Sequence, residues 1–352
     1  MEGINNPKEA LDQIRTIYHQ KPLNKIAEVA PLQELAVQFN LTQCVEWLNG
    51  VEEYLEHNFE TALNYFDKSI DLDPDLEFPW NGKANIFACD EEYDSALAAY
   101  SKAIELYPAY SFAWNGMGNV YNYNGQYEKA LECYEKAIEI NPAFSYPWNG
   151  KGNVLRNMGR YQEALKAFDM AVSIDPDDLY PRNGKANILR IIEETERALD
   201  IYKQTIKVSP DDPYTWTGMG NVLRILGKNN EALDAYEKAI ALNPDDRYPW
   251  NGKAKILGAM GKNEDSLNAY QHAIKLKPDD PYSFNGMGVV LKKMGRYPEA
   301  LDAFKQSAEL APQDPYTLYE LGTVLRLLGK SEEAMDSYEN ALTLNMKEQD
   351  KE

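Results

Sequence analysis

From Ala130 to Ile138 the chain reads Ala-Leu-Glu-Cys-Tyr-Glu-Lys-Ala-Ile, which places Ala130, Leu131, Tyr134, Ala137 and Ile138 on one stripe of an amphipathic helix. The same alternation of apolar and polar positions returns every 34 residues, and a proline marks each return: Pro74, Pro108, Pro142, Pro176, Pro210, Pro244, Pro278 and Pro312. With that proline as position 32, the units run 43–76, 77–110, 111–144, 145–178, 179–212, 213–246, 247–280, 281–314 and 315–348. Position 4 is Trp80, Trp114, Trp148, Trp216 and Trp250, with Phe284 close in kind and Arg182 and Leu318 departing. Position 8 is always Gly or Ala, as at Gly50, Ala84 and Gly118; position 20 is Ala except for Ser266; position 24 is always aromatic, from Phe66 and Tyr100 to Phe304 and Tyr338. Small residues at 8 and 20 let the two helices of a unit approach closely. Aromatics at 4 and 24 fill the space between successive helices. Gly125, Gly159, Gly227, Gly261, Gly295 and Gly329 fall between the helices, where they suit a left-handed helix end. The proline follows the second helix, where that helix must stop. No single unit can bury its apolar face, so stability comes from neighbours in the stack, and one elongated domain is expected where length alone suggests two or three.

This frame resembles the tetratricopeptide repeat (TPR) family, and nine units agree on it. The resemblance implies an all-α fold: a right-handed superhelical solenoid of antiparallel helix pairs, about one superhelical turn long, with the first helix of each pair lining a concave groove. Residues 1–42 do not fit the frame and are expected to form a helical extension. One helix is predicted within Lys8–Gln20 on Leu11, Ile14, Ile17 and Tyr18, and a second within 23–40, with Pro31 marking a break or a first turn. Two roles for this segment stay open: a cap on the first unit, or a docking segment for a partner or a second copy. At the other end no polar capping helix is visible before the charged tail, 349–352. The last unit is expected to expose some of Ala334, Met335, Tyr338, Ala341 and Leu342, which invites self-association through this end.

A net charge of −20 disfavours non-specific nucleic-acid binding and anionic membrane surfaces. The acidic exterior either keeps a long solenoid soluble or meets a basic partner. Cys44, Cys89 and Cys133 share no spacing, and His19, His57 and His272 do not cluster with them, so no disulfide framework, metal site or cofactor is expected. The start, Met1 to Asn6, lacks a basic, apolar signal region, and no run approaches the roughly 20 apolar residues of a membrane span. A cytoplasmic location is the expectation.

The candidate chemistry lies on the first helix of each unit. Positions 2, 5, 9 and 12 are separated by 3, 4 and 3 residues, so they share one face. Position 2 is aromatic: Phe78, Phe112, Tyr146, Tyr180, Tyr214, Tyr248, Tyr282 and Tyr316. Position 5 is Asn81, Asn115, Asn149, Asn183, Asn251 and Asn285; position 9 is Asn85, Asn119, Asn153, Asn187 and Asn221; position 12 is Arg156, Arg190, Arg224, Lys292 and Arg326. Asparagine both donates and accepts, so a row of them can hold a peptide main chain without reading its side chains. The arginines add a preference for carboxylates or other anionic groups. Position 6 is glycine from Gly82 to Gly286, at a cost of about 1 kcal/mol each relative to alanine, which suggests a lowered groove floor that admits a ligand backbone. A purely structural reading stands beside this one: Tyr at 2 packs on the preceding loop, Asn at 9 bonds to the neighbouring repeat, and duplication copied both.

Chaperone-binding TPR domains hold a C-terminal carboxylate with Lys, Asn and Arg. Here Asn or Thr replaces that Lys, which puts such capture in doubt. The asparagine ladder is similar in kind to that of the O-linked N-acetylglucosamine transferase superhelix, which grips extended peptide, but sits at 5 and 9 rather than 6. Gly116-Met117-Gly118 and Gly218-Met219-Gly220 lie inside predicted helices and fail the context of a dinucleotide loop. The function expected is a non-catalytic scaffold that binds an extended protein or peptide segment in the groove. The alternatives are a scaffold self-assembling through its ends, or a non-catalytic subunit of an enzyme complex.

Overall fold

The computed structural model describes residues 4, 6–20, 23 and 25–349, and its regular elements there are all helices; the end of the charged tail, 350–352, and the opening residues 1–3 and 5 lie outside this range. Two helices come first, α1 (Pro7–Gln20) and α2 (Ile26–Gln38). Pro31 neither breaks α2 nor opens it but lies inside it, which corrects the sequence expectation. Its missing N–H removes one hydrogen bond near the helix start, while buried Val29, Leu32, Leu35 and Ala36 hold the helix in place.

Eighteen helices follow in the order α3 (Thr42–Leu55), α4 (Phe59–Leu72), α5 (Glu77–Cys89), α6 (Tyr93–Leu106), α7 (Ser111–Tyr123), α8 (Tyr127–Ile140), α9 (Ser145–Asn157), α10 (Tyr161–Ile174) and α11 (Leu179–Ile191). They continue as α12 (Thr195–Val208), α13 (Pro213–Ile225), α14 (Asn229–Leu242), α15 (Arg247–Ala259), α16 (Asn263–Leu276), α17 (Pro281–Lys293), α18 (Tyr297–Leu310), α19 (Pro315–Leu327) and α20 (Ser331–Gln349). The chain divides into two compact units, 1–185 and 186–352, with the division inside α11.

Within the first unit α3 packs on α4, α5 on α6, α7 on α8 and α9 on α10, and each pair stacks on the next. In the second unit α13 to α20 pair and stack in the same way. In both, odd-numbered helices also touch the next odd-numbered helix, as α5 touches α7 and α15 touches α17, whereas even-numbered helices make no comparable contact. Each stack therefore curves with its odd helices on the inside.

The left-handed turn between paired helices is present at Gly159 (φ +74°) and its equivalents, and also where glycine is absent, at His57, Glu91 and Glu193, with φ of 64°, 60° and 64°. The tryptophan indoles have a defined partner: Trp114 Nε1 donates to Pro108 O at 3.0 Å, and Trp216 Nε1 to Pro210 O at 2.7 Å. Arg182 keeps the bond, donating to Pro176 O through Nε at 2.9 Å and Nη2 at 2.6 Å.

The aromatic at position 24 is the centre of the packing. Phe66, Tyr134, Phe168, Tyr202, Tyr236 and Phe304 are essentially fully buried. Burial of a Phe-sized side chain contributes about 1.5–3 kcal/mol. Each ring lies between two odd helices, and the glycines at positions 6 and 8 make the room. A Cβ on Gly218 would sit 2.5 Å from Tyr202 Cζ, and one on Gly220 would sit 2.7 Å from Tyr236 Cε1. The position 6 glycines therefore admit a neighbouring ring of the protein, not a ligand backbone, and the groove-floor reading is corrected on that ground.

Candidate functional site

The inner surface of each unit is the odd-helix face that carries positions 2, 9 and 12. In the first unit part of it is already covered. Tyr18 of α1 packs its ring 4.7 Å from Trp47, 5.1 Å from Phe78 and 6.1 Å from Phe112, centroid to centroid. Arg15 donates to Glu77 through Nε (3.0 Å) and Nη2 (3.1 Å). His19 Nε2 lies 3.5 Å from the same carboxylate, and its ring stacks on Tyr107 at 4.4 Å. Burial works against the Glu77 charge, but the contacts from His19 and Arg15 outweigh it and hold the carboxyl below its ordinary range. Phe78 and Phe112 are buried, Phe78 completely, whereas Tyr146 and Tyr180 are 48% and 77% exposed. The change from Phe to Tyr at position 2 thus follows where α1 stops covering the face. Neither Glu77 nor Arg15 stood out in the sequence, because their partnership spans 62 residues. A cavity of about 250 Å³ bordered by Tyr18, Asn85, Asn119 and Tyr146 lies beside this contact.

The asparagines divide by position. Those at 9 accept from the buried tyrosine of their own helix pair: Tyr100 Oη to Asn85 Oδ1 at 2.6 Å, Tyr134 to Asn119 at 2.7 Å, Tyr202 to Asn187 at 3.0 Å and Tyr236 to Asn221 at 2.8 Å. Burial pushes the Tyr236 hydroxyl up to about 12, so it stays protonated as the donor. Once Oδ1 is taken, the amide turns its Nδ2 donors outward. Asn187 Nδ2 donates to Tyr214 Oη at 3.0 Å. Asn153 stands opposite Phe168, which has no hydroxyl to offer.

Asparagines at 5 face the next odd helix instead. Asn81, Asn183 and Asn251 are buried, and Asn115, Asn149 and Asn285 are half-buried. Asn251 Oδ1 accepts from Ser283 Oγ at 2.8 Å, and Asn285 Nδ2 donates to Thr317 Oγ1 at 2.7 Å. The positions equivalent to that hydroxyl are Ala113, Pro147 and Pro181 after Asn81, Asn115 and Asn149, whose buried Oδ1 atoms have no hydrogen-bond partner among the described residues.

Position 12 brings cations onto the inner face. Among the described residues Arg156, Arg190, Arg224 and Arg326 form no ion pair, while Lys292 is paired with Glu320. Lysines at position 7 behave oppositely: Lys83, Lys151 and Lys253 meet Asp67, Glu135 and Glu237 on the preceding even helix at 2.5, 2.8 and 2.9 Å, and Lys185 meets Asp169. Among the described residues no group of three or more His, Cys, Asp or Glu could hold a metal ion, and no helix is long and apolar enough to cross a membrane.

The family model described as "Tetratricopeptide repeat" matches residues 111–144, 145–178 and 213–246. A "TPR repeat" model matches 254–295, and a further "Tetratricopeptide repeat" model matches 281–347. Among solved structures the chain is similar to a tetratricopeptide repeat protein from Parabacteroides merdae ATCC 43184, with 16% identity, 71% of this chain and 99% of that one covered, and a TM-score of 0.57. It is also similar to YrrB, described as a TPR protein with an unusual peptide-binding site (26% identity, 53% and 97% covered, TM-score 0.42). A third similar structure is MamA (19% identity, 47% and 96% covered, TM-score 0.42). No curated protein matches the chain.

Proposed function

Because this chain belongs to the tetratricopeptide repeat family, whose fold serves generally as a protein-interaction scaffold, we propose that it is a non-catalytic scaffold holding an extended segment of a partner protein on its inner face. The observation that carries this reading is the row of solvent-exposed tyrosines at position 2: Tyr146 and Tyr180 in the first unit, and Tyr214, Tyr248, Tyr282 and Tyr316 in the second. Large rings held on the inside of a curved stack, with an amide donor at Tyr214 and cations at Tyr248 and Tyr282, supply apolar area and hydrogen bonds at little entropic cost. The asparagines act one step back. Their bonds to buried tyrosines fix which way the outward Nδ2 donors point. We further read α3 to α20 as nine two-helix repeats and residues 1–42 as an extension whose α1 occupies the inner face at Phe78 and Phe112. The test is capture from lysate with chemical cross-linking, comparing wild type with a variant carrying Tyr146→Ser, Tyr180→Ser, Tyr214→Ser and Tyr248→Ser. These side chains are exposed, so the variant should keep its helicity. A partner cross-linked to odd helices in wild type and lost from the variant is the expected result; equal capture by both would refute it.

One observation favours a second reading, self-association through the last helix pair. Met335, Leu342 and Met346 on α20 are about 60% exposed, near a cavity lined by Tyr316, Tyr319 and Tyr338. Of the five residues some of which were expected at this surface, Met335 and Leu342 are exposed and Ala334 and Ala341 are buried. Sedimentation that shows the same monomer mass for wild type and Leu342→Glu at high concentration would remove this reading.

A further inference from the structure

In the second unit one repeat departs from the pattern at two inner-face positions together. Position 9, Asn in four of the repeats whose aromatic is Tyr, is Lys255; position 12, otherwise a cation in neighbouring repeats, is Gly258. The lysine cannot accept from Tyr270 as the asparagines accept from their tyrosines, so the Tyr270 hydroxyl has no hydrogen-bond partner among the described residues. The glycine leaves out a long side chain. A cavity of about 310 Å³ opens between α15, α17 and α19, lined by Lys255, Gly258, Tyr270, Tyr282, Lys293 and Tyr316.

The two lysines of this cavity meet no carboxylate among the described residues, although its Tyr316 lies against Glu320. Lys255 Nζ reaches only Tyr282, 3.4 Å from its hydroxyl and 5.8 Å from its ring centroid, and Lys293 Nζ donates to Gly258 O at 2.8 Å. Neither forms an ion pair among the described residues, although the chain has 56 acidic and 36 basic residues to draw from. The neighbouring Lys253, two positions along the same helix, is paired with Glu237. Arg190, Arg224 and Arg326, also on inner-face positions of this unit, form no ion pair with a carboxylate among the described residues either. Lys292 is paired with Glu320, but the charges of Lys255 and Lys293 are left without a carboxylate among the described residues of a chain whose net charge is −20.

We infer that the second unit's inner face recognises an acidic segment of a partner protein, with one aspartate or glutamate carboxylate seated in the Lys255–Lys293 cavity against the Tyr270 hydroxyl. This deepens the inner-face reading and rests on it. The occupant follows from charge complementarity: unpaired ammonium groups and hydroxyl donors, framed by tyrosine rings, match a carboxylate on a short stem. It also reverses the partner that bulk charge suggests. The acidic exterior would attract a basic protein, whereas the inner face selects an acidic one.

The test uses the full chain and two fluorescein-labelled peptides, decaglutamate and decaglutamine, followed by anisotropy at low ionic strength. Decaglutamate should bind on the order of tenfold more tightly than decaglutamine, and salt should weaken it. Lys255→Asn, which restores the common residue, should loosen decaglutamate roughly threefold to tenfold. Lys253→Asn removes the same charge from the same helix outside the cavity and should leave binding unchanged. Equal effects of the two substitutions, or none from Lys255→Asn, would overturn the cavity assignment. Decaglutamine binding as tightly as decaglutamate would overturn the acidic ligand while leaving the inner face as a peptide surface. Binding of neither peptide would also overturn it, and the tyrosine variant above then decides the broader reading separately. Displacement of decaglutamate by inorganic phosphate at concentrations where acetate has no effect would replace carboxylate by phosphate and overturn the proposal as stated.

Discussion

Replacing Gly218 by alanine sets two large effects against each other. Helix propensity favours the change by about 1 kcal/mol, since Gly218 lies in the interior of α13. Packing opposes it. The added Cβ would lie 2.5 Å from Tyr202 Cζ and 2.6 Å from both its Cε1 and its hydroxyl, where carbon contacts ordinarily sit at about 3.5–4.0 Å. Tyr202 is fully buried, so the ring has to retreat by roughly 1 Å against its neighbours, and overpacking of that kind costs about 1–3 kcal/mol. The retreat also strains the 3.0 Å bond to Asn187, whose loss costs about 1 kcal/mol. The balance is a destabilisation of about 1–3 kcal/mol. Stacked repeats need not unfold in one step, so urea unfolding followed by circular dichroism should be paired with hydrogen exchange at α12 and α13. In a Tyr202→Leu background, which removes the atoms that clash, the same substitution should cost less than about 1 kcal/mol. If Gly218→Ala is as stable as wild type, or if its cost is unchanged in the Tyr202→Leu background, the packing account of these glycines is wrong. If stability holds while peptide binding falls, the groove-floor account returns.

Three further outcomes are expected. Glu193→Gly should stabilise the protein by about 1 kcal/mol in thermal unfolding, because Glu193 holds a left-handed φ of 64° that glycine adopts freely; Gly159→Ala should do the reverse. Ala113→Ser places a hydroxyl where Ser283 and Thr317 stand in their repeats, gives the buried Asn81 Oδ1 a donor, and should add about 0.5–1.5 kcal/mol in urea denaturation. The docking of α1 should depend on acid. The Glu77 carboxyl is held below its ordinary range, so its contribution is fully present above the unfolded carboxylate pKa and is lost as pH falls through the lowered folded value. Protection of the α1 amides, taken relative to the intrinsic exchange rate at each pH, should therefore fall in strong acid, and Glu77→Gln should lower it at neutral pH; protection indifferent to both would count against the ion pair as the fastener.

The 34-residue periodicity determined the helices, their turns and the aromatic core, because these depend on spacing within about one repeat and every copy restates them. Tyr134, Ala130 and Gly159 could be assigned to core and turn from the chain alone for that reason. What each polar side chain bonds to was not available there. Asn119 and Asn115 look alike as letters four residues apart, yet one accepts from a tyrosine of its own pair and the other points its oxygen at the next odd helix without a partner among the described residues. The glycines at position 6 read as open space until the neighbouring ring was seen to fill it. The contact of Arg15 with Glu77, the burial of Phe78 under Tyr18, and the meeting of Lys255, Tyr270 and Lys293 in one cavity belong to the tertiary structure alone. A repeat fixes which residues share a helix face, but the partner across a packed interface is set by side-chain geometry between helices, which no spacing along the chain encodes.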